Sequence, residues 1–372
     1  LTEADRFNGI KISLIRQVIN DAPPGSVNMA LGELGYAMPE YLRQEAHKLL
    51  DSGTASYTPN AGLNESRQAV ADYYGDKYGV DNVCVTNGAE EAIFLSLFAL
   101  SNPGQVVAIP DPDYTAYASI ASLLGTKTVR LPFQPDLETI DWDKWESQLS
   151  QKVIFLLLSN PQNPSGKYFN NKELSRLSSI CNRYRITVLV DEIYRELWFT
   201  EKPPSTAVLF DHVVHIGGLS KSHCLSGWRI GWAVSSREVI SSITKAKQYV
   251  STCSNWLAQK LIPAALSEKG LRGSEMIRLR LMKDREKTIT TICEFLSHDH
   301  LHTPQATPYL MLKVEDDLQA AKELSTLGLI SVPGRAFGSV TRGWIRLNYA
   351  VSPESLNRGI EILRRYYSEY RK

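Results

Sequence analysis

No apolar run in this chain approaches the twenty or so residues that a bilayer-spanning helix needs; stretches such as 153–158 are far shorter. The opening Leu1-Thr2-Glu3-Ala4-Asp5 lacks the charged-then-apolar pattern of an export signal, and its first residue, Leu rather than Met, leaves open whether the N-terminus is complete. Cysteine is scarce. The five (Cys84, Cys181, Cys224, Cys253, Cys293) are scattered, odd in number and without a Cys-x-x-Cys pair, which argues against a disulfide framework and for reduced thiols in a cytoplasmic protein. An excess of one charge is missing too: 41 basic side chains face 40 acidic ones, so neither nucleic acid nor an anionic membrane surface is an expected partner. No G-x-G-x-x-G follows a strand, which removes a nicotinamide dehydrogenase, and no repeat or low-complexity tract is present.

What is there is enough chain, 372 residues, for two bodies with cores of their own. Between about 80 and 235, β-rich runs alternate with helical patterns; strands are expected at 82–86, 106–109, 128–131, 153–158, 187–190, 213–217 and 230–234. Continuous apolar strands separated by helices predict an α/β fold with a mostly parallel sheet of seven strands sandwiched by helices. Beyond 240 the pattern changes to charged helices, short strands near 310–314 and 344–349, and a terminal helix with Ser352 as N-cap and Pro353 in its first turn, together a smaller α+β body.

Ligands of parallel sheets sit at the carboxyl ends of the strands, so the residues there carry the functional argument. After the first strand comes Asn87-Gly88-Ala89-Glu90, small residues that open a helix and expose backbone N–H groups to an anion such as phosphate. Tyr114 follows the second, and Asn163 sits in the rigid turn "NPQNPSG" after the fourth. Asp191 ends a buried strand, where a carboxylate is costly without a cationic or hydrogen-bonding partner. Past the sixth strand runs "GGLSKSHCLSGWRIG": Lys221 offers an amine that can become a nucleophile toward a carbonyl, while Arg229 and Ser220 suit a phosphate dianion. A ligand with an aldehyde, a phosphate and a ring nitrogen in need of a carboxylate answers to all of these, namely pyridoxal 5′-phosphate.

In the order "YTPNAG", Gly88-Ala89-Glu90, Tyr114, "NPQNPSG", "DEIY", "SKSHCLSGWRIG" and "WIRLNY", the chain resembles the fold-type-I pyridoxal-phosphate enzymes, specifically the class I/II aminotransferases of the aspartate aminotransferase superfamily. The resemblance implies that Lys221 forms the aldimine with the cofactor and moves the substrate's Cα proton. It further implies that Asp191 keeps the pyridine nitrogen protonated, that Tyr194 and Asn163 bond the phenolic oxygen, and that Tyr114 stacks on the ring. Ser220, Arg229 and the amides of Gly88, Ala89 and Glu90 would hold the phosphate; Arg346, with Gly32 and Asn163, would hold the substrate. Tyr57 would reach the phosphate of a neighbouring subunit, so a homodimer with a shared active site is expected. By the same resemblance a large cofactor domain covers 45–265 and a small domain 1–44 with 266–372.

The expected reaction is amino transfer from an L-amino acid to a 2-oxo acid. Elimination, replacement, cyclisation or racemisation on the same scaffold is the alternative, and a silent effector-binding module, of the kind fused to DNA-binding segments, is a third reading that the nearly complete set of cofactor contacts disfavours. Three departures from the family pattern touch the site. Gly32-Glu33-Leu34-Gly35-Tyr36 stands where Gly-Glu-Pro-Asp is common, Gly218 where many relatives have a serine, and Trp256 at a loop position that is usually small. Two decoys are set aside. His298-Asp299-His300-Leu301-His302 is expected to be a solvated loop rather than a metal strand, and Ser165-Gly166-Lys167 lacks the upstream glycine of a phosphate loop. Cys224 is expected to pack rather than react.

Overall fold

The structure, a computed structural model, describes residues 2–53, 55–207 and 209–369. Its centre is a seven-stranded sheet of Val83–Thr86 (β1), Val106–Asp111 (β2), Lys127–Pro132 (β3), Val153–Ser159 (β4), Thr187–Asp191 (β5), Val213–Gly218 (β6) and Gly231–Val234 (β7). Their spatial order is β1-β7-β6-β5-β4-β2-β3, every neighbouring pair being parallel except the two that involve β7. The expected α/β fold is what the chain adopts.

Strand β4 shows why. Its side chains alternate between two cores: Leu156 and Leu158 pack with Trp145, Phe169 and Leu174 on one face, Phe155 and Leu157 with Ile93, Tyr117 and Ile243 on the other. A strand buried on both faces has no polar positions, hence its unbroken apolar sequence. Helices Ala89–Leu100 (α1), Thr115–Leu123 (α2) and Asn171–Tyr184 (α3) follow β1, β2 and β4. The last begins with a capping box, Asn170 accepting from the amides of Lys172 and Glu173 while Glu173 returns a bond to the Asn170 amide. Among the described residues no helix separates β5 from β6, and the run after β6 leads through a turn into the short 3-10 segment Ser226–Trp228.

The second layer is an antiparallel sheet of Leu301–His302 (β8), Tyr309–Lys313 (β9), Val332–Pro333 (β10) and Trp344–Asn348 (β11), in the order β10-β11-β9-β8. Helices Glu268–Cys293 and Pro353–Glu369 cover it, the latter burying Leu356, Ile360, Leu363 and Tyr366; Ser352 Oγ accepts from the Ser355 amide at 3.2 Å as the expected cap. No helix among the described residues is long and apolar enough to cross a membrane.

Two expectations need correction. His302 does not lie in a solvated loop: it is a buried strand residue whose Nε2 meets Ser165 O at 3.1 Å, and burial pushes its imidazole down to about 4. His298 and His300 remain exposed in the short 3-10 turn ahead of that strand. Trp256 is not in a loop either but opens helix Trp256–Leu266, capped by Asn255, whose side chain accepts from the Ala258 amide at 2.9 Å.

Candidate active site

Six strands run the same way and end on one side of the large sheet, and β7, running the other way, starts there. Around that edge lies a cavity of about 580 Å³. Lys221 enters it from the turn after β6, where Gly218 lets the chain pass against the Ile230 carbonyl, and its Nζ donates to Gly32 O at 2.5 Å. Arg229 closes the same turn in a left-handed conformation (φ 55°) and stretches its guanidinium over Gly88, donating to Ser226 O at 3.0 Å and Asn87 O at 3.4 Å. Gly88 has φ 89°, and a Cβ there would collide with that guanidinium, so glycine is required on both counts. Gly88 is also the N-cap of α1, so the free amides of its first turn, the Arg229 fork and the Ser220 hydroxyl converge. Such a convergence fits a phosphate dianion.

Asp191 and Glu192 face opposite environments. Asp191 receives Tyr117 Oη at 2.8 Å and the Ile193 amide at 3.1 Å, and burial raises its carboxyl to about 6 against the pull of these donors and of Lys221. It lines the cavity without touching a cation, which suits a protonated ring nitrogen. Glu192 is equally buried, but His215 at 3.4 Å, Arg195 and the Thr206 hydroxyl outweigh that burial and hold it at about 2. It belongs to the core behind the sheet.

Arg346, on β11, is a buried cation short of an acceptor. It is 1% exposed, its Nη1 donates to Asn163 Oδ1 at 2.8 Å and its Nη2 to Ala30 O at 2.6 Å, while its Nε meets no acceptor. Tyr309 and Phe337 sandwich the guanidinium at 4.1 and 4.7 Å. Burial lowers its pKa, and among the described residues no carboxylate offsets the charge. A buried cation of this kind is complementary to an incoming carboxylate. Tyr194 reaches Tyr309, the two hydroxyls lying 2.6 Å apart, and burial pushes Tyr194 well above the usual phenol range. Tyr114, just ahead of α2, sets its ring edge-on to Tyr117 at 5.4 Å.

The residues expected from the sequence line this one cavity, with two exceptions. Gly88 lies immediately behind it, beneath Arg229. Tyr57 is on the surface, 90% exposed and outside the cavity. Gly32 O accepts from Lys221 Nζ, and a Cβ on Gly32 would collide with Tyr309. Sequence reasoning passed over Tyr117, Tyr309, Phe337, Asp113 and Ser159, and the short helix Leu14–Asn20, whose Ile15 and Arg16 form part of the wall. Tyr117 could have been found, since it stands one helical turn after Tyr114. Tyr309 carries no such signal: it comes near Arg346 only through the β9–β11 register, which pairs Met311 with Arg346.

Comparisons with known proteins agree with this geometry. Residues 24–363 match the family described as aminotransferase class I and II. A probable aspartate aminotransferase of Methanocaldococcus jannaschii is 28% identical over 98% of this chain and 99% of its own. The aspartate aminotransferase of Thermotoga maritima is 30% identical over 90% and 89%, and a crystal structure of an aspartate aminotransferase from that organism superposes with a TM-score of 0.88 at 26% identity, covering 99% of this chain and all of the other. The aspartate aminotransferase of Thermus thermophilus with maleate, at 24% identity and a TM-score of 0.91 over 98% of this chain and 99% of its own, shares the fold. With a family model matching nearly the whole chain and relatives along its length, this chain belongs to the class I and II aminotransferases.

Proposed function

We propose that the cavity at the strand ends is the amino-transfer site of this aminotransferase and that Lys221, Asp191 and Arg346 divide its work. The observation that carries the reading is the buried Arg346 guanidinium with an unpartnered Nε, across one cavity from a lysine amine and a buried carboxylate. The donor set fits pyridoxal phosphate: Arg229, Ser220 and the amides of Gly88, Ala89 and Glu90 for the phosphate, Asp191 for the ring nitrogen, Tyr194 and Asn163 for the phenolic oxygen, Tyr114 for the ring face. When bound, that cofactor supplies an aldehyde carbon to receive the amino group and a ring to accept the electron pair released at Cα.

The protein's own groups do the rest. Arg346 binds the α-carboxylate of amino acid or 2-oxo acid and so aims the Cα–H bond. Asp191 would face the ring nitrogen and favour its protonated form. Lys221 Nζ, which in the structure donates to Gly32 O, would hold the cofactor in the resting enzyme and, once released, take the Cα proton. Tyr194 and Tyr309, hydroxyl to hydroxyl, keep the phenolic side ordered and exclude water.

A homodimer is part of the proposal, supported by Tyr57 and Tyr249, 90% and 86% exposed, whose segments are tied together by the Asn60 side chain donating to Thr252 O at 2.7 Å. So are the division into bodies of 45–265 and of 1–44 with 266–372, and a cytoplasmic setting, which the five free cysteines support. The test is a single half-reaction. Holoenzyme mixed with a panel of L-amino acids, without acceptor, should release one 2-oxo acid per bound cofactor and stop. Ammonia release, or continued turnover without acceptor, would refute amino transfer, and substantial activity in Lys221→Ala would refute the assignment of the lysine.

A further inference from the structure

We infer that Asp113 is a positioning residue that fixes the direction of Arg346, acting through Ser159 and Asn163 on one side and through Phe337 on the other; the inference rests on the reading of Arg346 as the carboxylate site. Asp113 lies where β2 passes into α2, is wholly buried and does not line the cavity. Its Oδ1 accepts from the Ser159 hydroxyl and, at 2.8 Å, from the Tyr114 amide, and its Oδ2 accepts from the Ser159 amide at 3.3 Å. Because the serine proton goes to Asp113, Ser159 Oγ is left as an acceptor, and it takes the Asn163 amide at 3.2 Å. Asn163 Oδ1 then takes Arg346 Nη1 at 2.8 Å. In the other direction the Asp113 amide donates to Phe337 O at 3.1 Å, and the Phe337 ring lies under the same guanidinium.

One residue therefore touches both supports of a buried cation, with its side chain toward Ser159 and with its backbone amide toward Phe337. The arrangement has a cost, since burial pushes the Asp113 carboxyl up to about 8 and the nearby Asp191 adds to the rise. Asp113 Oδ1, which takes both the Ser159 hydroxyl and the Tyr114 amide, is what makes Ser159 a donor toward Asp113 and an acceptor toward Asn163; an apolar residue would leave the hydroxyl free to rotate and three donors without a partner.

The test uses holoenzyme variants and two non-reactive carboxylates, succinate and 3-phenylpropanoate, with binding followed by calorimetry alongside steady-state kinetics. Ser159→Ala should weaken binding of at least one probe and raise KM about tenfold, with kcat changing less than about twofold, the size expected for one oriented hydrogen bond. Ser159→Thr, which keeps the hydroxyl, should restore both. Asp113→Ala, which removes the acceptor, should weaken binding to a similar extent, and the double variant should be no worse than Ser159→Ala alone, because the two changes break one chain of contacts. Cofactor stoichiometry should stay at one per chain throughout. Independent, multiplying effects of the two single changes, or undiminished binding in Ser159→Ala, would overturn the inference. Should Asp113→Ala fail to fold, the contrast between Ser159→Ala and Ser159→Thr decides alone. Arg346→Lys separates the two levels: if it leaves both probes bound as before, the reading of Arg346 fails and not merely its positioning.

Discussion

Asp191 and Glu192 are adjacent in the chain and opposite in their titration, one raised to about 6 and the other held at about 2. The sign of the first has a consequence for stability. Between the ordinary carboxyl value of 3.8 and about 6 the folded chain holds a proton on Asp191 that the unfolded chain has lost, so folding is favoured at low pH and weakened as pH rises through 6. In cofactor-free protein at pH 7, Asp191→Asn should add about 3 kcal/mol to the unfolding free energy in a denaturant titration. The same change should lower kcat by orders of magnitude. A loss of stability at pH 7 would contradict the account. At Arg346, substitution by lysine keeps the charge and loses the planar fork, so KM for both amino acid and oxo acid should rise about a hundredfold in steady-state kinetics. Both residues were legible in the sequence, Asp191 because a carboxylate ending an apolar strand is anomalous, Arg346 because "WIRLNY" sits in a recognisable order. The aromatic pair around Arg346 was not, since Tyr309 and Phe337 read as ordinary core residues until the sheet register brings them together.

Among elements, the strands of the large sheet were the most legible and lie within two residues of where the sequence puts them, because burial on both faces writes itself as an unbroken apolar run. The two-residue strands Val27–Asn28, β8 and β10 carry too few positions to show any periodicity. Helix Leu14–Asn20 was missed for a related reason: none of its residues is fully buried, so its pattern is weak although it walls the cavity. The start of α1 is the element whose function depends most on one position. Gly88→Ala would force a side chain into a left-handed region and against Arg229, at a cost of about 1–2 kcal/mol for the backbone alone. Cofactor affinity, measured by fluorescence titration of stripped enzyme, should fall about tenfold or more. An unchanged affinity would remove Gly88 and Arg229 from the phosphate site.

At the scale of the molecule, Tyr57 is the residue whose place in a single chain makes least sense, a large aromatic almost fully in solvent. In the proposed dimer it completes the neighbour's phosphate site. Tyr57→Phe should then weaken cofactor binding, and adding excess Lys221→Ala protein to it should restore full activity per intact lysine once the subunits exchange, since the mixed dimer pairs an intact Lys221 with an intact Tyr57. No restoration after proven exchange would place Tyr57 outside the site.

Strand β7 is inserted between β1 and β6 and pairs Gly231 with Thr86 and Val83 with Val234, so among the described residues β1 has no other neighbour in the large sheet. Nearly 150 residues of chain must be in hand before that first strand can dock. The anion cradle at the head of α1 is thus completed by a partner strand far along the chain, which makes its assembly one of the slower steps expected from sequence separation.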